Sequence, residues 1–293
     1  MQDKEAPWLD TIWTAAKWFK SSWCSHPLFQ LVHRGVSILT VYPDLMHCKH
    51  LGVDMYFFGT ILTILVYDIL PGSPNWNIIE LFGKIKKYYK EHKIKNRFAG
   101  LCLSMIGNVR HPWTKPQMLK GKAAEIKDFG GALLELWRTY MHTTGPSETT
   151  HRKILLALEL NCKIEKIVSD HASDWRFEGT TGEDFRSTVF NFLMIFNALG
   201  SEYSPSNRTD GKCGFNVTTK AHYLAHCALY ALYLNPRLGW CYSGEDMMHH
   251  FRDLLQTCTR GNNCWTSVFK FSEKYCVALG LDMMPEGAFI LQR

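Results

Sequence analysis

A mostly α-helical fold is predicted by three features of the chain. Apolar residues recur at three- and four-residue spacing over most of its length. The β-branched run Gly35-Val36-Ser37-Ile38-Leu39-Thr40-Val41-Tyr42, near the start, is the clearest strand pattern. Breaks such as Pro71-Gly72-Ser73-Pro74 separate the helical runs. With 293 residues, 46% hydrophobic and 13% aromatic, the chain can bury a sizeable core and is not a disordered tail.

Residues 7–23 place Trp8, Ile12, Trp13, Ala16 and Phe19 at helical spacing and predict a Trp-rich helix. The strand at 35–42 ends on Pro43 and Asp44 and is expected to present Asp44 and His47 from a rigid base. Residues 54–70 predict an apolar helix. Its most apolar run, Met55 to Tyr67, is shorter than the roughly 20 residues of a membrane span, so it reads as a buried core helix. Helices follow at 76–93, at 117–141 with a bend at Gly130-Gly131, and at 148–172. Later ones are expected at 183–199, 218–234, 244–258 and 264–279. Residues 200–214 are the most linker-like. Three segments are expected: 1–34, 35–258 and 259–293.

The ten cysteines include no C-x-x-C pair, which excludes zinc-ribbon and thioredoxin motifs. Several lie in apolar runs, as buried thiols do in a reducing compartment such as nucleus or cytosol. The N-terminus has no basic region followed by an apolar core, so no signal peptide is expected. Phosphate-loop, dinucleotide, nucleophile-elbow and H-E-x-x-H motifs are absent, which removes the main kinase, dehydrogenase, hydrolase and zincin readings.

Three features carry chemistry. Asp44 and His47, three apart, can share a hydrogen bond or a metal, or Asp44 can simply cap a helix. Glu245 and Asp246 open a helix, where acids suit the dipole and where Glu245 is a candidate ligand for Mg²⁺. His222 and His226 stand one turn apart in the preceding helix. Lys84, Lys86, Lys87, Lys90, Lys93, Lys95 and Arg97 form a basic stripe in a chain of net charge +6, suited to contact with DNA phosphates or to a solvated helix face.

At these places the chain resembles the C-terminal part of CACTA-type DNA transposases. The D-x-M-H element reads Asp44-Leu45-Met46-His47, followed by Leu51-Gly52 and Phe58-Gly59-Thr60-Ile61-Leu62. A lysine-containing segment, 118–128, leads into Leu133, Leu134 and Leu136. An H-x-x-x-H helix (His222, His226) and a W-x-Y segment (Trp240, Tyr242) deliver Glu245.

The resemblance implies a small remnant of an RNase H-like α/β core near the N-terminal strand, interrupted by a large helical insertion. It implies that Glu245 matches the last acid of the catalytic DDE set, 201 residues beyond Asp44, and that both face one pocket. It also implies Mg²⁺-dependent strand cleavage and transfer for a complete family member. Here the first acids are missing. Only Asp3 and Asp10 precede Asp44, in a Trp-rich helical context. The expectation is therefore a transposase-derived nuclear protein, catalytically inactive, that keeps DNA contact. The alternative is a helical scaffold subunit that meets other subunits through Trp8, Trp13, Trp18 and Trp23.

Overall fold

A computed structural model describes residues 43–141, 148–259 and 264–282. The Trp-rich segment and the strand expected at 35–42 lie outside the described residues. Nine helices, two 3₁₀ turns and no strand are found among the described residues.

The centre is α1, Met46–Ile69. It starts well before the expected helix and takes in the D-x-M-H element, so Asp44 stands just ahead of a helix. Met46 N–H donates to Asp44 Oδ1 at 2.9 Å. The helix is long and apolar enough to cross a membrane, yet 78% of its most apolar stretch is buried inside the protein. An all-round apolar helix is what a globular core surrounds. Phe57 shows how: its ring lies 5.4 Å from Phe192, 5.9 Å from Phe196 and 6.0 Å from Phe215.

The other helices wrap α1. They are α2 (Pro74–Glu91), α3 (Ala123–Lys127), α4 (Gly130–Tyr140), α5 (Glu148–Asp170), α6 (Thr181–Glu202) and α7 (Thr219–Tyr230). The first turns of α1 pack on α3 and α7, and its last turn packs on α2. In α2, Ile78, Leu81, Ile85 and Tyr89 face inward. Ser73 accepts from Trp76 N–H with Pro74 at the first helical position, a strong start signal. Asn77 fixes the turn between α1 and α2 by donating to the Val66, Leu70 and Gly72 carbonyls. The single helix expected at 117–141 is instead two, α3 and α4, parted at Asp128 and Phe129.

Residues 117–119 pass close to α1, where side chains replace a missing helical turn. Gln117 donates to the Pro112, Lys115 and Cys213 carbonyls. Leu119 N–H donates to Met55 O at 2.8 Å, and Gly59 makes that approach possible. A Cβ at Gly59 would sit 2.7 Å from Leu119 N and 2.8 Å from Met118 N, both backbone atoms with little room to move. Gly59→Ala is expected to destabilise by about 1–3 kcal/mol in urea unfolding. Gly83→Ala, on the open face of α2 with nothing within 4 Å, is expected to stabilise by roughly 0.5–1 kcal/mol.

The last two helices, α8 (Tyr242–Thr259) and α9 (Cys264–Asp282), form a hairpin. Phe251 packs against Phe271 and Tyr275, so the segment boundary expected at 258/259 falls inside one antiparallel pair.

Candidate functional site

The first turns of α1 are not a regular α-helix. Residues Met46–Asp54 are wound as a π-helix, and the backbone leaves helical geometry at Leu51 (φ −88°, ψ 20°). Such wide turns are rare and concentrate at functional sites. Their effect here is specific. Consecutive residues on an α-helix point about 100° apart, yet Lys49 and His50 reach the same atom, Glu165 Oε1, at 2.6 and 2.8 Å. Residues five apart also diverge on an α-helix, yet Lys49 Nζ donates to Asp54 Oδ2 at 2.7 Å.

On α5, Asn161 and Glu165 stand one turn apart and face this segment. Asn161 Nδ2 donates to Asp54 Oδ1 at 2.6 Å, and Lys49 Nζ reaches Asn161 Oδ1 at 3.3 Å. From α8, the Tyr242 hydroxyl meets His50 Nδ1 at 2.7 Å. Lys49, His50, Asp54 and Asn161 are buried, while Glu165, at 22% exposure, and Tyr242 are partly exposed.

The charges in this network are set by burial and by one another. Burial opposes the Lys49 ammonium, but Asp54 and Glu165 outweigh it and its pKa is pushed up to about 12. For Glu165, burial favours the neutral acid, yet Lys49 and His50 hold the carboxyl well below its usual range. Burial raises Asp54 against the pull of Lys49. Burial, then the Glu165 charge, pushes the Tyr242 hydroxyl up and keeps it a proton donor.

His50, Asp54 and Glu165 are the one group among the described residues with metal-ligand character, their ligand atoms within 4.8 Å of one another. The Lys49 ammonium already lies against both carboxylates. A metal ion would have to displace a buried, charged lysine, so these residues do not fit one.

The expected site residues are placed as follows. Asp44 Oδ2 pairs with His47 Nδ1, and Asp44 Oδ1 accepts from Met46 N and, at 3.2 Å, from Cys241 N. The D-x-M-H and W-x-Y segments therefore meet, although 197 residues separate Asp44 from Cys241. Both Asp44 oxygens are engaged in hydrogen bonds. Glu245 lies in the first turn of α8, and its side chain is outside the described residues. The described residues thus do not assemble the carboxylate set of a two-metal centre.

Lys84, Lys86, Lys87, Lys90, Lys93, Lys95 and Arg97 are all exposed, at and beyond the C-terminal end of α2. Glu80 and Glu91 lie 3.5 and 3.7 Å from Lys84 and Lys87 and offset part of the charge. The interleaved tyrosines do not share this surface. Tyr89 is buried, and Tyr88 is half-buried and stacks on His92. His222 and His226 are in contact, Nε2 to Nε2 at 2.9 Å, at the surface.

A cleft of about 300 Å³ opens over the network. Glu165, Tyr242, Lys127, Arg237, Trp240 and Asn96 are among the residues that line it. Arg237 and Lys127 lie over the Trp240 ring at 4.6 and 5.8 Å from its centre.

Sequence reasoning missed Lys49, Asp54, Asn161 and Glu165. The four-residue spacing of Asn161 and Glu165 was a visible signal. The five-residue spacing of Lys49 and Asp54 was not, because it fits only a π-turn. Comparison with family models, curated proteins and solved structures finds no match to this chain.

Proposed function

We propose that this chain is derived from a CACTA-type transposase, lacks strand-transfer chemistry of its own, and retains contact with DNA. On this reading, the helical body corresponds to the insertion within an RNase H-like nuclease core. Its main support is the meeting of two motifs from distant parts of the chain: Cys241 N–H on Asp44, and Tyr242 on His50. Convergence of these elements is what such an ancestry requires. The neutralised network supports the loss of catalysis, since a lysine fills the place a cation would take. The exposed stripe from Lys84 to Arg97 supports the DNA contact, because clustered cations release counterions from phosphates.

The test is a gel shift of the full chain with a non-specific duplex over a series of salt concentrations, with a nicking assay in Mg²⁺ and Mn²⁺ alongside. The expected result is binding that weakens steeply as salt rises, without nicking. Binding indifferent to salt would overturn the phosphate-contact mode, and metal-dependent nicking would overturn the loss of catalysis.

A scaffold reading draws on Met248, Phe269 and Val277, exposed apolar residues of the α8–α9 hairpin. It gains if the duplex does not bind at any salt.

A further inference from the structure

The cleft beside the charged network has an internal polarity that the proposed DNA contact does not use. In its lining, Glu165 Oε1 takes both Lys49 and His50. Glu165 Oε2 accepts no hydrogen bond among the described residues, although the side chain lines the cleft and is partly exposed. A carboxylate oxygen held ionised and left open asks for a donor. Elsewhere in the lining the sign reverses. Arg237 makes no ion pair among the described residues, and Lys127 has Asp128 at 3.6 Å. The lining also holds two aromatic rings, Trp240 and Tyr242, with centres 5.0 Å apart, and the apolar side chains of Ala124 and Val168. Ser169 stands at the exposed edge.

A fitting ligand has a donor for the carboxylate, a flat ring for the aromatic side chains and an anion for the cations. That combination describes a nucleotide whose base carries an exocyclic amino group, and the volume lies at the small end of ligand pockets. We infer that the cleft takes one such nucleotide, the base amino group donating to Glu165 Oε2 and the phosphate held by Arg237 and Lys127. Thymine has no amino group, and its one base donor, N3–H, is flanked by two carbonyl oxygens that a carboxylate repels. The nucleotide can be an unpaired unit of a strand, in which case the inference rests on the DNA-contact reading, or a free monophosphate, in which case it does not.

The experiment measures fluorescence anisotropy of labelled short oligo-dC and oligo-dT with the full chain at moderate salt. Unlabelled dCMP serves as competitor, and its direct binding is followed by calorimetry. Oligo-dC is expected to bind about tenfold tighter than oligo-dT, the loss associated with one unpaired charged hydrogen bond. Glu165→Gln is expected to remove the preference. That substitution also alters a buried network, so Ser169→Trp, which fills the cleft from its exposed edge, is the second variant and is expected to do the same. Arg237→Glu is expected to weaken oligo-dC about tenfold while leaving duplex binding by the α2 stripe unchanged.

Displacement by dCMP supports the inference with a free nucleotide as ligand. A dC preference that dCMP does not displace supports it with a strand. Equal binding of dC and dT, or a preference that survives Ser169→Trp, overturns it. If the duplex binds without any dC preference, this inference fails and the DNA-contact reading stands. If dCMP alone binds, the DNA reading fails and the cleft assignment stands.

Discussion

Replacing Lys49 with methionine is expected to destabilise the protein by about 3–5 kcal/mol, the usual consequence of removing one partner from a buried ion pair. The side chain is fully buried and lies 2.7 and 2.6 Å from Asp54 and Glu165. Methionine matches its length and keeps the packing, so the loss reports charge rather than a cavity. Asp54 would be left buried without a countercharge, and the partly exposed Glu165 would keep only His50. Pairing Lys49→Met with Asp54→Asn and Glu165→Gln is expected to recover a large part of the loss, since a neutral network of the same shape lacks the uncompensated charges. Urea unfolding of the three proteins measures both effects.

The same substitution has a pH signature. The Lys49 pKa in the folded protein, about 12, lies above its ordinary value. Its contribution is therefore complete below about pH 10.5 and is lost as pH rises from there through about 12. Glu165 is held below its ordinary range, so its contribution is complete above about pH 4.5 and is lost as pH falls below that. In Lys49→Met the orphaned carboxyls can take up protons as pH falls, which relieves the penalty. The stability gap between wild type and variant is thus expected to be widest near neutral pH and to narrow at both ends. A gap independent of pH would mean that packing, and not charge, accounts for the loss.

The second large effect concerns DNA. Lys87, Lys90 and Lys95 are exposed and lie on one basic surface. Changing all three to alanine is expected to weaken duplex binding by about a hundredfold or more at low salt. It should also flatten the dependence of log affinity on log salt by roughly 0.9 for each phosphate contact removed. Stability should change little, because exposed substitutions away from caps and cores usually have effects within about 0.5 kcal/mol. Unchanged affinity, with the fold intact, would reduce the stripe to a solvated helix face.

The expectations drawn from the chain fare unevenly, and the differences have physical causes. Helical periodicity located α2, α5, α6, α7 and the α8–α9 hairpin to within a few residues, because each carries an apolar face repeated over several turns. Boundaries failed where local geometry broke the period. The helix expected at 54–70 begins instead at Met46, since π-turns carry polar residues inward that an α-helical pattern assigns to no face. The helix expected at 117–141 is interrupted because residues 117–119 bind α1, Leu119 N–H donating to Met55 O and Gln117 Oε1 accepting from Thr60 Oγ1.

The candidate site divides in the same way. Asp44, His47, Trp240 and Tyr242 stood out as motifs, and the fold brings their segments into hydrogen-bond contact. Lys49, Asp54, Asn161 and Glu165 carry no motif and were passed over.

Amino-acid order alone determined that this is a helical protein, that Met55 to Tyr67 lies in its core, and that its cations gather at one end of α2. These properties follow from local periodicity and composition, which a linear pattern records. Only the tertiary structure decided that Lys49 stands between two carboxylates and that one cleft is lined by Glu165 together with Lys127 and Arg237. Those relations join residues more than a hundred positions apart, through a backbone distortion whose spacing has no counterpart in regular helix.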